Sequence, residues 1–236
     1  MGWTAQGSTV DNSVLLEATK EKMVAEINTA LETAFGQIHA LNAAGHTLAN
    51  KVEIMKVLYA LNDRFLEIVT PCLDGVKLRC RKGCAHCCEF RVEALPMEAL
   101  RIAEHLRSLG DEALREWILK LEAHADYAKG RSERNYQRKC TFMDQEGACR
   151  IYEVRPFKCR VYHSLDDEAC RVHRKNYKIG LLGQLESMVV QSTVELFAKE
   201  GLSMAPAELG QSVLTALNAP DAEAAWLMRN NFLSIQ

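Results

Sequence analysis

Apolar residues recur at three- and four-residue spacings along most of the chain, the pattern of helices that bury one face. Val14, Leu15, Ala18, Met23, Ile27, Leu31 and Phe35 define a first amphipathic helix, with N-cap oxygens available in Asp11-Asn12-Ser13 and an end near Gly36. After a softer stretch around Asn42 to Gly45, Val52, Ile54, Met55, Leu58, Leu61, Phe65 and Ile68 build a second stripe that Pro71 stops. These two helices are expected to pack antiparallel. Residues 89–95 alternate enough to suggest a short extended segment. Pro96 then suits a first helical turn, and Met97, Leu100, Ile102, Ala103 and Leu106 carry a helix to Gly110. Asp111 is expected to cap the next helix, whose Leu114, Trp117, Ile118, Leu121 and Ala125 share a face.

The run between Gly130 and Cys140 has no apolar period and reads as a solvated connector. From Asn176 onward Tyr177, Ile179, Leu182, Leu185, Met188, Val189, Val194, Leu196 and Phe197 describe a long helix closed by Gly201. Two shorter helices, 206–218 and 221–232, finish the pattern. Strands do not alternate with helices as a parallel sheet requires, and no internal repeat is visible. The expected fold is all-α, a helical bundle around a loop-rich centre. It forms one domain over residues 1–236, with N-terminal helices at 13–70, a central segment at 72–175 and C-terminal helices at 176–233.

The chemistry lies in the centre. Cys80, Cys84, Cys87 and Cys88 put four thiols into nine residues, and Cys140, Cys149, Cys159 and Cys170 follow downstream. Thiolates that converge within a few ångströms suit borderline and soft metals, and a short loop with Gly83 at its turn lets the backbone wrap around them. The Cys84-x2-Cys87 interval alone would serve a zinc knuckle, an iron–sulfur site or a thiol redox motif; eight clustered thiols point to metal. An iron–sulfur cluster is the favoured occupant, with a zinc ion as the alternative. Cys72 stands outside both motifs and reads as a small buried hydrophobe. Vicinal Cys87 and Cys88 are expected to diverge, so at least one metal should take ligands from both segments. His86 and His163 read as hydrogen-bonded neighbours rather than ligands. Tyr152, Phe157 and Tyr162 are candidates to shield the centre, and Arg155-Pro156 marks a turn that re-aims the chain toward Cys159.

Charge adds a distinction between centre and ends. The formal net charge is −2, which argues against nucleic-acid or membrane binding by the whole molecule. Residues 129–178 carry 13 basic and 7 acidic side chains, against 5 and 9 over residues 1–76 and 2 and 6 over residues 179–236. Arg79, Arg81, Lys82, Arg150, Arg160 and Arg171 could offset the negative charge of a thiolate site. The acidic terminal helices are where a protein partner or a second copy of the chain would dock, and a protein partner or substrate is otherwise left unspecified. With no signal-peptide pattern and no apolar run of membrane-spanning length, the expected location is cytoplasmic, where clustered thiols serve as metal ligands or redox groups before disulfides.

Cys80-x3-Cys84-x2-Cys87-Cys88, followed by Cys140-Thr-Phe-Met, Gly147-x-Cys149-Arg-Ile-Tyr-Glu-x-Arg-Pro and Cys159-Arg, resembles the YkgJ-type cysteine-cluster family, also called CxxCxxCC proteins. The first interval is three residues where the family label has two. The resemblance covers about residues 72–175 and implies zinc or iron chelation by Cys80, Cys84, Cys87, Cys88, Cys140, Cys149 and Cys159, with Cys170 a weaker match. Flagellin lysine N-methylase resembles the family in sharing the motif, which keeps a protein-modifying methyltransferase or a redox enzyme as alternatives. A structural zinc protein acting as an interaction module is a further one. The spacing from Cys80 to Cys87 is also that of radical S-adenosylmethionine enzymes, but the strands of their βα barrel are missing from the pattern.

Overall fold

The computed structural model describes residues 7–10, 15–81, 83–173, 176–228 and 233. In chain order its elements are β1 (Gly7–Val10), α1 (Lys20–Ala43), α2 (Leu48–Val69), β2 (Glu93–Ala94), α3 (Pro96–Ser108), α4 (Asp111–Ala128), α5 (Phe157–Arg160), α6 (Asp167–His173), β3 (Asn176–Ile179), α7 (Gly180–Lys199), β4 (Ala207–Glu208), α8 (Leu209–Asn218) and α9 (Ala222–Leu227). The all-α class is borne out, with strands reduced to two short pairs among the described residues. The chain divides into two compact units, Met1–Arg81 with Arg160–Thr193 and Lys82–Cys159 with Val194–Gln236.

In the first unit α1 and α2 form a helical hairpin. Met23, Ile27, Ala34 and Ile38 of α1 are buried, as are Ile54, Met55, Leu58, Leu61, Phe65, Ile68 and Val69 of α2. Here α1 runs on to Ala43 rather than ending near Gly36. A helical glycine costs about 1 kcal/mol against alanine, and burying Ile38 two residues later more than offsets it. The expected cap at Asp11-Asn12-Ser13, and Val14 with it, lie outside the described residues. The reading of Asn176–Ile179 as the first turn of the long helix is corrected. Those residues form β3, which pairs in parallel with β1 in the register Gly7↔Asn176 to Val10↔Ile179, and the helix begins at Gly180.

The second unit is built on α3, α4 and α8, whose Ile102, Ala103, Leu106, Leu121, Leu209, Val213 and Ala216 are buried. The extended segment predicted before Pro96 is present as β2, antiparallel to β4 with Glu93 opposite Glu208 and Ala94 opposite Ala207. Asp111 lies in the first turn of α4 while Gly110 holds the cap position. Trp226 of α9 is fully buried, donates from Nε1 to the Ser203 carbonyl at 2.9 Å and meets Phe197 edge-on. Between α4 and α8 the buried His124 contacts Glu208 Oε1 and Tyr136 Oη through Nε2, both at 2.9 Å. Gly210 makes room for that imidazole, since a Cβ there would stand 2.3 Å from His124 Cδ2.

Candidate metal centre

Six of the eight candidate thiols belong to the second unit: Cys84, Cys87, Cys88, Cys140, Cys149 and Cys159. Gly83, at φ +84°, opens the first loop in a conformation other residues resist. The chain then winds into a single 3-10 turn over His86–Glu89, with the Cys88 amide donating to the Ala85 carbonyl at 3.0 Å. The second loop is a tight reversal. Asp144 Oδ1 accepts from the amides of Glu146 at 3.0 Å and Ala148 at 2.8 Å, and a bridge between Met143 and Cys149 closes the turn. Its tip lies on the first loop, because a Cβ on Gly147 would come 3.4 Å from the Gly83 carbonyl oxygen and 3.6 Å from Ala85 Cβ. The loops are also joined through the backbone, where the Cys140 amide donates to the Cys88 carbonyl at 2.6 Å.

Cys159 arrives from another direction. Arg155 is extended before Pro156, and α5 begins at Phe157, with the Cys159 amide donating to the Pro156 carbonyl at 2.9 Å. The Phe157 ring is buried. Its amide donates to Glu98 Oε1 at 2.7 Å, and Glu98 Oε2 accepts from the Leu95 amide at 2.9 Å. One buried carboxylate therefore holds both the first turn of α3 and the turn that carries Cys159.

Electrostatics show four of these sulfurs acting on one another. Burial pushes the Cys140 thiol up to about 12, and the sulfurs of Cys88 and Cys149 add to that rise. Burial likewise raises Cys149, and it raises Cys159 well above the ordinary value; Cys140, Cys149 and Cys88 raise Cys159 further. Cys88 is the exception. A hydrogen bond from the Cys87 thiol lowers it to about 7 against the opposing effect of burial, and the Arg155 guanidinium lowers it further. The vicinal thiols thus act on one another electrostatically. Arg155 favours thiolate at Cys88, Cys149 and Cys159 while stacking over the Tyr152 ring at 3.9 Å. Among the described residues no group of three or more His, Cys, Asp or Glu side chains is placed so that it could hold a metal ion.

Cys80 and Cys170 belong to the first unit. Cys80 is exposed and its sulfur accepts from the Ser164 amide at 3.2 Å, while Cys170 is buried in α6. Cys72 is buried just past the end of α2, its thiol donating to the Ile68 carbonyl at 3.4 Å, as a small buried hydrophobe would. His163 is buried beside Glu186 at 3.0 Å, and Lys178 reaches the same carboxylate at 2.8 Å. His86 lies half-buried in the 3-10 turn. Of the basic residues picked out by sequence, Arg81 pairs with Asp167, Arg171 with Glu168 and Arg160 with Asp63, whereas Lys82 lies outside the described residues. Among the described residues Arg155, which the sequence marks only as a turn, acts on three of the thiols. Phe157 is buried as expected of a shield; Tyr152 is exposed.

In this all-α protein the two cysteine motifs thus meet where the Cys140 amide reaches the Cys88 carbonyl. The family model described as "CxxCxxCC: Putative zinc- or iron-chelating domain" matches residues 79–179, and it is the family that the motifs resemble. Comparison with curated proteins gives no significant match, and comparison with solved structures gives none either. No described helix is long and apolar enough to cross a membrane.

Proposed function

We propose that this protein chelates its metal through Cys88, Cys140, Cys149 and Cys159, and that the metal is an iron–sulfur cluster. The observation that carries the reading is the joining of the two loops at Cys88 and Cys140, around which four sulfurs act on one another beside one guanidinium. The donor chemistry fits. Soft thiolates select zinc and iron–sulfur centres over hard cations, and a neighbouring cation offsets the negative charge of four thiolates. Bound iron and sulfide would supply redox or structural chemistry; Arg155 would favour deprotonation of the ligands, and the Phe157 ring would keep water from one side. Cys84 and Cys87 lie on the same loop, and Cys80 and Cys170 complete the motifs.

Metal and acid-labile sulfide analysis of anaerobically purified protein tests this reading. Iron and sulfide in stoichiometric amounts, with broad visible absorption, support it. A colourless protein with zinc alone would replace the cluster with a zinc ion on the same sulfurs, a reading favoured by the short Asp144-braced turn that carries Cys140 and Cys149 near its two ends. A protein free of both metals would sink the proposal.

A further inference from the structure

We infer that Glu98 is a positioning residue for the metal centre, holding Cys159 in place through the amide of Phe157; the inference rests on the reading of Cys159 as a ligand. Glu98 is 1% exposed, in the first turn of α3. Its first task is local, since Oε2 accepts from the Leu95 amide at 2.9 Å and satisfies a donor that the helix start leaves open. Its second task is remote. Oε1 accepts at 2.7 Å from the Phe157 amide, itself at the start of α5, where the backbone has no helical acceptor for it. Cys159 lies two residues further along that short helix. A four-residue helix has almost no stability of its own, so its place is set by what anchors it. Its first turn is anchored by the buried Phe157 ring and this carboxylate, and its last residue, Arg160, by an ion pair with Asp63 at 3.1 Å.

Both oxygens are in use, which makes the group specific. An amide in the same position has one acceptor oxygen and turns its NH₂ toward the other backbone N–H, leaving a buried donor unsatisfied. Glu98→Gln therefore keeps size and can accept from only one of the two amides, Leu95 or Phe157. Since removing the outer partners of a metal ligand weakens binding by about tenfold to a hundredfold, loss of this anchor should do the same here.

The test uses the full chain with zinc(II) as probe, comparing wild type, Cys159→Ala, Glu98→Gln and Ser212→Ala. Ser212 is buried in α8, where its hydroxyl donates to the Glu208 carbonyl at 2.7 Å, so its loss lowers stability in the same unit without touching the loops. Expected is a dissociation constant for zinc(II) raised about tenfold or more in Glu98→Gln. In that zinc-loaded variant Cys159 should become open to iodoacetamide while Cys88 stays protected. Ser212→Ala should melt earlier with affinity and Cys159 protection unchanged. Wild-type affinity in Glu98→Gln, with Cys159 still protected, overturns the positioning role alone. Failure of wild type to bind, or undiminished binding by Cys159→Ala, overturns the ligand reading beneath it. If Glu98→Gln does not fold, amide exchange in wild type decides: Phe157 and Leu95 should both exchange slowly, and fast exchange at Phe157 overturns the inference.

Discussion

The Cys140 amide donates to the Cys88 carbonyl at 2.6 Å, so the last thiol of the first motif and the first thiol of the second are fixed to each other through the main chain. A metal held there closes the long stretch of chain between them, and the affinity of the metal becomes part of the folding free energy. Substitution at either end should therefore lower metal content and stability together. Cys149→Ala and Cys159→Ala are expected to lose most of the bound metal. Cys72→Ala, which removes a buried thiol hydrogen-bonded within the first unit, should keep it. Metal content equal across the three variants would remove Cys149 and Cys159 from the ligand set.

The metal-free protein should respond to pH in opposite senses at different thiols. Cys140 is raised from 9.0 to about 12 by burial, so folding favours its protonated form. That contribution is complete below the ordinary thiol value and is lost as pH climbs from there through the folded value, at about 1.4 kcal/mol per pH unit. Cys149 and Cys159 act in the same direction. Cys88 runs the other way: its thiolate stabilises the fold above 9.0, and the effect fades as pH falls through about 7. Melting curves of apo protein should show stability falling above pH 9, and iodoacetamide should reach Cys88 first, with a rate that rises through about pH 7. Preferential labelling of Cys140 near neutrality would contradict the assignment.

Gly210→Ala should destabilise the second unit. The added methyl would stand 2.3 Å from His124 Cδ2, and the ring cannot swing away without losing Glu208 and Tyr136, both at 2.9 Å. Overpacking of this kind costs about 1–3 kcal/mol. Thermal unfolding with unchanged stability would show that the imidazole is less constrained than its contacts indicate.

Much of the helical frame was legible because its signal is local. The stripes through Met23 and Ile27, through Ile54 and Phe65, and from Met97 to Leu106 are the faces that the structure buries. Asn176–Ile179 misled because Tyr177, Ile179 and Leu182 continue the helical spacing, while the partner strand Gly7–Val10 lies near the other end of the chain. The centre divides along the same line. Cysteines announce themselves by type and interval, but Glu98 looks like any acidic residue in a first helical turn, and its second acceptor role depends on Phe157, far away in sequence. Arg155 stands out in the sequence only for the proline after it. Its effect on three thiols follows from where the turn places it, which no interval encodes.

Removal of metal should loosen the centre of the second unit before its helices. The loops over 83–92 and 138–156 are held by turns, by a few backbone hydrogen bonds, among them Cys140 to Cys88 and Arg150 to the Phe142 carbonyl at 2.8 Å, and by the buried side chains of Phe90, Phe142 and Ile151, fewer than the packed helices bury. By contrast, α3, α4 and α8 bury Ile102, Leu106, Leu121 and Val213 at 0% exposure, apolar contact that does not depend on thiolate ligands. Regions with few buried apolar contacts open at lower free energy than packed helices, so chelation should act there first. Hydrogen exchange after treatment with a chelator is expected to accelerate at Cys88, Cys140 and Cys149 while Ile102 and Leu121 remain protected. Uniform acceleration through α3 and α4 would mean that the metal holds the whole unit together. Unchanged exchange in the loops would mean that the hydrogen-bonded turns suffice without it.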